Sequence, residues 1–297
     1  MSGLSRRRAP SRGFIGDRQG LWATWVRLKR TVKRRYKRQR ADVLVVSHAK
    51  SGRTWLAAMI SHVYSRRYGL PNDELLQFDS FHQLDRRVPR ILFTHDNRKD
   101  GAHTPLFTSM ELGQQKVVLL VRHPCDIAVS AYFQSLRDGR KGFGPDHGGE
   151  PIFDYVMAVK LPQVLAFLSR WRDQLPALQH SLLLRYEDLH AQPRIELERV
   201  MRFIDGQADA AEIDAAVAFG SFEHMQRREA DGSFASDKLR PGDPKDPRSF
   251  KVREGKVGGY RSHFSEAELA QIDAMVAATD LSGFGYVAGG LVVERAL

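Results

Sequence analysis

Lys50, Ser51, Gly52, Arg53 and Thr54 form a short basic and hydroxyl-bearing stretch whose residue types suit one task, holding a phosphate-like anion. They sit between an apolar run, Val43 to Val46, and the pattern Trp55, Leu56, Met59, Ile60, Val63. The first reads as a buried parallel strand and the second as a helix. A strand, a small-residue loop and a helix N-terminus bring backbone N–H groups, helix dipole and lysine charge to one point. The order is not that of a Walker A loop, in which the lysine follows the second glycine. Here Lys50 precedes Gly52, and the loop is short enough to suit a single 5′-phosphate group rather than a triphosphate. Taken alone, the same residues also fit a strand–turn–helix junction with a solvated lysine.

Two further clusters carry anion-binding chemistry. Arg122 ends the apolar run Lys116 to Val121, followed by His123-Pro124, Asp126 and, two helical turns on, Ser130. A strand-end arginine can bind a phosphate dianion bidentately, with the Ser130 hydroxyl adding a donor. Asp126 reads as orienting Arg122 or capping the helix that Pro124 starts. The other cluster is Phe250 to Tyr260, where Lys251, Arg253 and Lys256 alternate with Gly255, Gly258 and Gly259. Each cluster alone also fits an ordinary ion pair or a charged loop.

The elements that must position these groups are short strands alternating with helices. Strands are expected near 43–46, 90–95, 116–121 and 181–185. Helices are expected near 53–66, 124–136, 152–159, 163–176, 193–205, 208–219, 221–228 and 266–278. That alternation argues for an α/β fold of three layers, a central parallel sheet with helices on both faces. Ligands of such sheets bind beyond the carboxyl ends of the strands. His48–Thr54, His95, Arg122 and Tyr186 all lie there. Residues 137–151, rich in Gly and charge, read as a mobile loop, and residues 230–262, rich in Gly, Pro, Asp and Ser, as a long functional connection.

Taken together, the clusters resemble the cytosolic-type sulfotransferases, over roughly residues 42–280. Ala49-Lys50-Ser51-Gly52-Arg53-Thr54-Trp55 is similar to that family's 5′-phosphosulfate loop, and Arg122 with Ser130 to its 3′-phosphate pair. Arg253-Glu254-Gly255-Lys256-Val257-Gly258 is similar to its R-x-G-x-x-G segment, and Tyr186-Glu187-Asp188-Leu189 to its Y-E-D-L signature. The resemblance implies a P-loop-type sulfotransferase fold and transfer of a sulfuryl group from 3′-phosphoadenosine 5′-phosphosulfate to a hydroxyl or amine, without a metal. It implies that His95, in the pair Thr94-His95, is the general base. Lys50, Ser51 and Thr54 would face the departing 5′-phosphate; Arg122, Ser130, Arg253, Glu254 and Gly255 would lie at the 3′-phosphate; Trp55 and Tyr186 would sandwich or edge the adenine. A proton abstracted near neutral pH calls for a group of pKa near 7, which imidazole supplies. Departures from the family pattern stand out: Glu254 replaces a common basic residue, Phe93 a common lysine, and Arg53 a common threonine, adding positive charge beside the donor. Gly259-Tyr260 also stands where Asp-Trp is usual.

Composition sets the outer limits. The 297 residues are 42% hydrophobic, enough for a sizeable core, with no apolar run expected to cross a membrane. The single cysteine, Cys125, excludes an internal disulfide framework and suits a reducing, cytoplasmic compartment. Residues 1–40 hold 14 Lys and Arg against one acid, Asp17, so the N-terminal arm carries 14 − 1 = +13 and the rest of the chain 11 − 13 = −2 of the net charge of +11. Residues 41–297 are then expected to form a single domain. The arm interleaves Leu21, Trp22, Trp25, Val26, Leu28 and Val32 with basic residues. It reads either as a basic amphipathic helix for an anionic membrane surface or as a helix packed on the domain. No nucleic-acid module follows it. No secretory signal is read in the arm, because no h-region or cleavage site follows its arginines. Two other function classes fit parts of this pattern: a P-loop kinase, which would need Mg²⁺ and acidic ligands, and a non-catalytic nucleotide-binding protein anchored by the arm. The acceptor (saccharide, lipid, small alcohol or peptide tyrosine) and the oligomeric state are not written in the sequence.

Overall fold

The computed structural model describes residues 25, 32–33, 35–96, 107–138, 151–232 and 256–287. Its chain divides into two units, 1–40 and 41–297. In the first, the described residues are helical, with Trp25, Val32 and Tyr36 exposed and the Arg40 guanidinium 5.5 Å from the Tyr36 ring centroid. Most of the expected amphipathic segment, including Leu21, Trp22, Val26 and Leu28, lies outside the described residues.

Among its described residues, the second unit is built on four parallel strands, β1 (Val43–Ser47), β2 (Ile91–Thr94), β3 (Lys116–Val121) and β4 (Ser181–Arg185), in the order β2-β1-β3-β4. Side chains alternate across the sheet. Leu44, Val46, Val117, Leu119 and Val121 face one apolar core, while Val43, Val45, Val118 and Leu120 face the other. Helix α1 (Arg53–Tyr68) covers the second face with Leu56, Met59, Ile60 and Val63, joined there by α5 (Pro193–Asp205). Helices α2 (Pro124–Asp138), α3 (Leu161–Gln174) and α7 (Glu266–Ala277) cover the first. Between them in sequence lie α4 (Tyr186–Ala191) and α6 (Ala210–Phe219).

Register brings the functional edge together. Val46 is level with Thr94 on β2 and Leu119 on β3, and Val121 is level with Arg185 on β4. The chain leaves β1 to form β2 on one side and β3 on the other, so the crevice between the ends of β1 and β3 is the switch point where such sheets take ligands.

The expected break between helices at 160–162 does not occur. Ile152–Tyr155, a π-helical turn at Val156–Lys160 and α3 form one continuous helix. Pro162 lacks the amide hydrogen for an α-helical bond, and the wider turn just before it absorbs the mismatch. By length and composition, Ile152–Ala177 is apolar enough to cross a membrane, contrary to the expectation that no run is. Its Val156, Leu161, Val164, Leu168 and Trp171 are instead buried against the sheet.

Candidate functional site

The loop after β1 holds two left-handed residues, Lys50 (φ 73°) and Gly52 (φ 89°). For a lysine this conformation is uncommon, and it turns the backbone so that the following N–H groups gather at the start of α1. Gly52 cannot carry a side chain. A Cβ there would lie 2.6 Å from Tyr186 Cδ2, in a left-handed conformation as well. Ser51 is buried and its hydroxyl has no partner, so the loop keeps an unspent donor facing inward.

Arg122 closes the other side of the crevice. Its Nη1 donates to the Lys50 carbonyl at 3.1 Å and its Nη2 to the Lys256 carbonyl at 3.3 Å, while the guanidinium lies 4.2 Å from the Tyr186 ring centroid. Its buried Nε has no partner. The lysine loop, the strand-end arginine, Tyr186 and the first described residue of the C-terminal flap therefore meet at one place. Ser130 lies two turns along α2, half-buried. Arg253, Glu254 and Gly255 lie outside the described residues.

Trp55 and Tyr186 meet edge to face, with centroids 5.8 Å apart, and Trp55 Nε1 donates to the Gly220 carbonyl at 2.7 Å. The two rings touch each other rather than form parallel walls, and Tyr186 turns a face to Arg122. This arrangement offers a ring edge and an arginine-covered face, not a slot between two aromatics.

The expected role of Asp126 differs from what the structure shows. Its carboxylate accepts Gly258 N–H at 2.8 Å and Tyr260 N–H at 3.1 Å, so it clamps the flap instead of orienting Arg122. The other acids nearby are also structural. Glu187 accepts His123 N–H and the Tyr286 hydroxyl, each at 2.8 Å, and burial pushes its pKa up. Asp188 holds Arg185 through two 2.7 Å bonds. His123 stacks on Tyr260 with centroids 5.0 Å apart, and burial lowers its pKa to about 4.

His95 follows β2, and its Nδ1 lies 2.9 Å from the Ser47 carbonyl. A carbonyl can only accept, so Nδ1 carries the proton and Nε2 keeps its lone pair. The expected pKa near 7 is not found. Burial, then the Arg53 charge, lower it to about 3, with His48 and Lys160 adding to the effect. The next residue, Asp96, is fully buried in a left-handed conformation. It accepts from Arg170 Nη2 at 3.0 Å, Trp171 Nε1 at 3.1 Å and Phe107 N–H at 3.1 Å, which fixes the backbone beside His95. The sequence reading missed Asp96 and Lys160 and gave Asp126 a different role; none of the three carries a local signal for what it does, since their partners lie along the chain. Among the described residues no group of three His, Cys, Asp or Glu is placed to hold a metal ion.

Residues 40–285 match the family profile described as a sulfotransferase domain. The chain belongs to the sulfotransferase family. It is a sulfotransferase of the cytosolic type, similar to cytosolic sulfotransferase 10 of Arabidopsis thaliana, 27% identical over 282 residues that cover 83% of this chain and 80% of that one. It is also similar to a 3-beta-hydroxysteroid sulfotransferase of Cavia porcellus, 25% identical over 264 residues, 83% and 86% of the two chains. Among solved structures it shares the fold of mouse sulfotransferase SULT7A1 complexed with PAP, at TM-score 0.56 and 20% identity over 81% of this chain and 84% of that one. Retinol dehydratase in complex with androsterone and inactive cofactor PAP has the same fold, at TM-score 0.53 and 18% identity, with 80% of each chain covered.

Proposed function

We propose that this sulfotransferase uses 3′-phosphoadenosine 5′-phosphosulfate as donor and a hydroxyl (or amine) as acceptor, with the donor spanning the crevice between Lys50 and Arg122. The observation that carries the reading is the 3.1 Å bond from Arg122 to the Lys50 carbonyl, because it puts the two anion-binding elements on one crevice. The unpartnered Ser51 hydroxyl and Arg122 Nε fit a doubly phosphorylated ligand. PAP in the solved relatives of this fold and steroid and flavonol acceptors in the names of sequence relatives support the same reading.

When bound, the donor supplies an activated sulfuryl group. Lys50, the amides at the start of α1 and the hydroxyls of Ser51 and Thr54 hold the 5′ side and stabilise charge that develops there. Arg122 and Ser130, with Arg253 and Gly255, position the 3′-phosphate, which takes no part in the chemistry, while the neighbouring Glu254 carboxylate weakens that hold. Tyr186 and the edge of Trp55 border the base. His95 accepts the acceptor proton at Nε2, and the Ser47 carbonyl keeps Nδ1 protonated so that the lone pair faces the substrate side. An anion entering beside Arg53 offsets part of the field that depresses His95 and raises its basicity where it is used.

The cytosolic relatives support a cytosolic enzyme; contact of residues 1–40 with an anionic membrane surface is part of the proposal, read from the basic arm alone. Residues 41–297 act as a single catalytic domain in this reading. The test is turnover of sulfur-35 donor over a panel of hydroxyl acceptors, in wild type and in His95→Ala. Label transfer that disappears in His95→Ala while PAP still binds supports the proposal; transfer that persists in the variant contradicts the role of His95.

A further inference from the structure

Two cations beside His95 are poorly compensated. Arg53, at the first position of α1, is withdrawn from water, which lowers its pKa to about 10. No hydrogen bond or ion pair joins it to a described residue. Lys160 is desolvated as well, and its ammonium donates only to a neutral group, Gln163 Oε1, at 3.2 Å. A buried charge without a counter-charge is costly, so two of them that both act on His95 call for an anion that arrives from outside.

The helix that carries Lys160 shows where that anion sits. Lys160, Phe167, Arg170 and Trp171 recur at intervals that place them on one face. Phe167 meets the His48 ring edge-on, with centroids 5.5 Å apart, and Arg170 and Trp171 hold Asp96 next to His95. That face therefore looks onto the ends of β1 and β2, on the His95 side of the cleft. Its carboxylate partner among the described residues, Asp96, is already committed to Arg170, Trp171 and the Phe107 amide, and neutralises neither Lys160 nor Arg53. The donor crevice between Lys50 and Arg122 lies at the switch point between β1 and β3; Lys160 belongs to the other side, where an acceptor must stand to face His95.

We infer that the acceptor side of the cleft is an anion site, in which Arg53 and Lys160 hold a carboxylate, sulfate or phosphate carried by the acceptor while its hydroxyl faces His95. The inference rests on the sulfuryl-transfer reading and narrows its acceptor to hydroxylated acids. Neutral sterols and simple phenols would leave Lys160 without a counter-charge even with the donor in place.

The experiment uses full-length protein saturated with PAP, titrated calorimetrically with matched pairs: 4-hydroxybenzoate against 4-hydroxybenzamide, and galacturonate against galactose. In at least one pair the acid binds about tenfold or more tighter than the neutral partner. That preference falls to within about twofold in Lys160→Gln and drops in Arg53→Gln, while PAP affinity in Lys160→Gln stays within about twofold of wild type. Equal affinity for acid and neutral partner in both pairs, no binding of either pair below about 10 mM, or a preference that survives both substitutions overturns the inference. So does weakened PAP binding in Lys160→Gln, which would assign the lysine to the donor. Failure of PAP to bind wild type would instead sink the sulfuryl-transfer reading itself.

Discussion

Gly52→Ala tests how tightly the lysine loop, Tyr186 and Arg122 are coupled. The substitution acts twice. It places an alanine at φ 89°, where an L-residue costs about 1–2 kcal/mol relative to glycine. It also puts a methyl group 2.6 Å from Tyr186 Cδ2, well inside van der Waals contact. The ring cannot simply swing away, because it is buried, meets Trp55 on one side and stacks under Arg122 on the other. Overpacking of this kind costs about 1–3 kcal/mol. The sum is about 2–5 kcal/mol of folding stability, and relief of the clash moves Arg122 off the Lys50 carbonyl, so PAP affinity falls about tenfold or more. Urea denaturation and calorimetry on Gly52→Ala, Tyr186→Ala and the double variant form a cycle. The double variant should be more stable than the two single effects added together, because removing the ring removes the clash. If Gly52→Ala costs about 1 kcal/mol in both backgrounds, the steric coupling does not exist and the reasoning is wrong.

Other outcomes follow from single contacts. Asp126→Asn replaces a carboxylate oxygen that accepts a flap amide with an NH₂ group, so stability should fall about 2–3 kcal/mol and the amides of Gly258 and Tyr260 should exchange faster with solvent; unchanged exchange would remove the clamp. Trp55→Phe loses the bond to the Gly220 carbonyl and should cost about 1 kcal/mol in urea denaturation; an unchanged stability would show that the bond contributes nothing. His95 and His123 have folded pKa values of about 3 and 4 against 6.5 unfolded. Between those values the unfolded chain binds more protons, so their contribution is complete above pH 6.5 and is lost as pH falls toward 4 and below. His123→Phe keeps the stack on Tyr260 and removes two ring nitrogens that have no hydrogen-bond partner. It should flatten the acid limb of stability between pH 6.5 and 4; an unaltered slope would show that His123 is not depressed.

What the sequence made legible was local. A β-branched run, a loop with one glycine and an apolar helix define β1, the lysine loop and α1, because their chemistry is written within a dozen residues. The strand-end positions of His95, Arg122 and Tyr186 follow from the same alternation. What stayed hidden depends on partners far along the chain. Asp126 reads as a helix-cap residue until the fold brings Gly258 and Tyr260 onto it. Asp96 looks like a loop residue until Arg170 and Trp171 reach it. The π-helical turn that presents Lys160 is a response to Pro162 in its packed setting, and the low pKa of His95 comes from burial and from cations on separate elements. Periodicity and motif spacing carry none of these.

The central claim is that one adenine nucleotide with two phosphates bridges Lys50 and Arg122. Calorimetric titration of wild type and Arg122→Ala with 3′-phosphoadenosine 5′-phosphate and with adenosine 5′-phosphate tests it most directly. The account predicts metal-independent binding in wild type with a preference of about tenfold or more for the doubly phosphorylated nucleotide, and a preference several-fold smaller in Arg122→Ala, where Ser130 and the flap alone hold the 3′-phosphate. Binding that requires Mg²⁺, or a preference undiminished without the arginine, would contradict it.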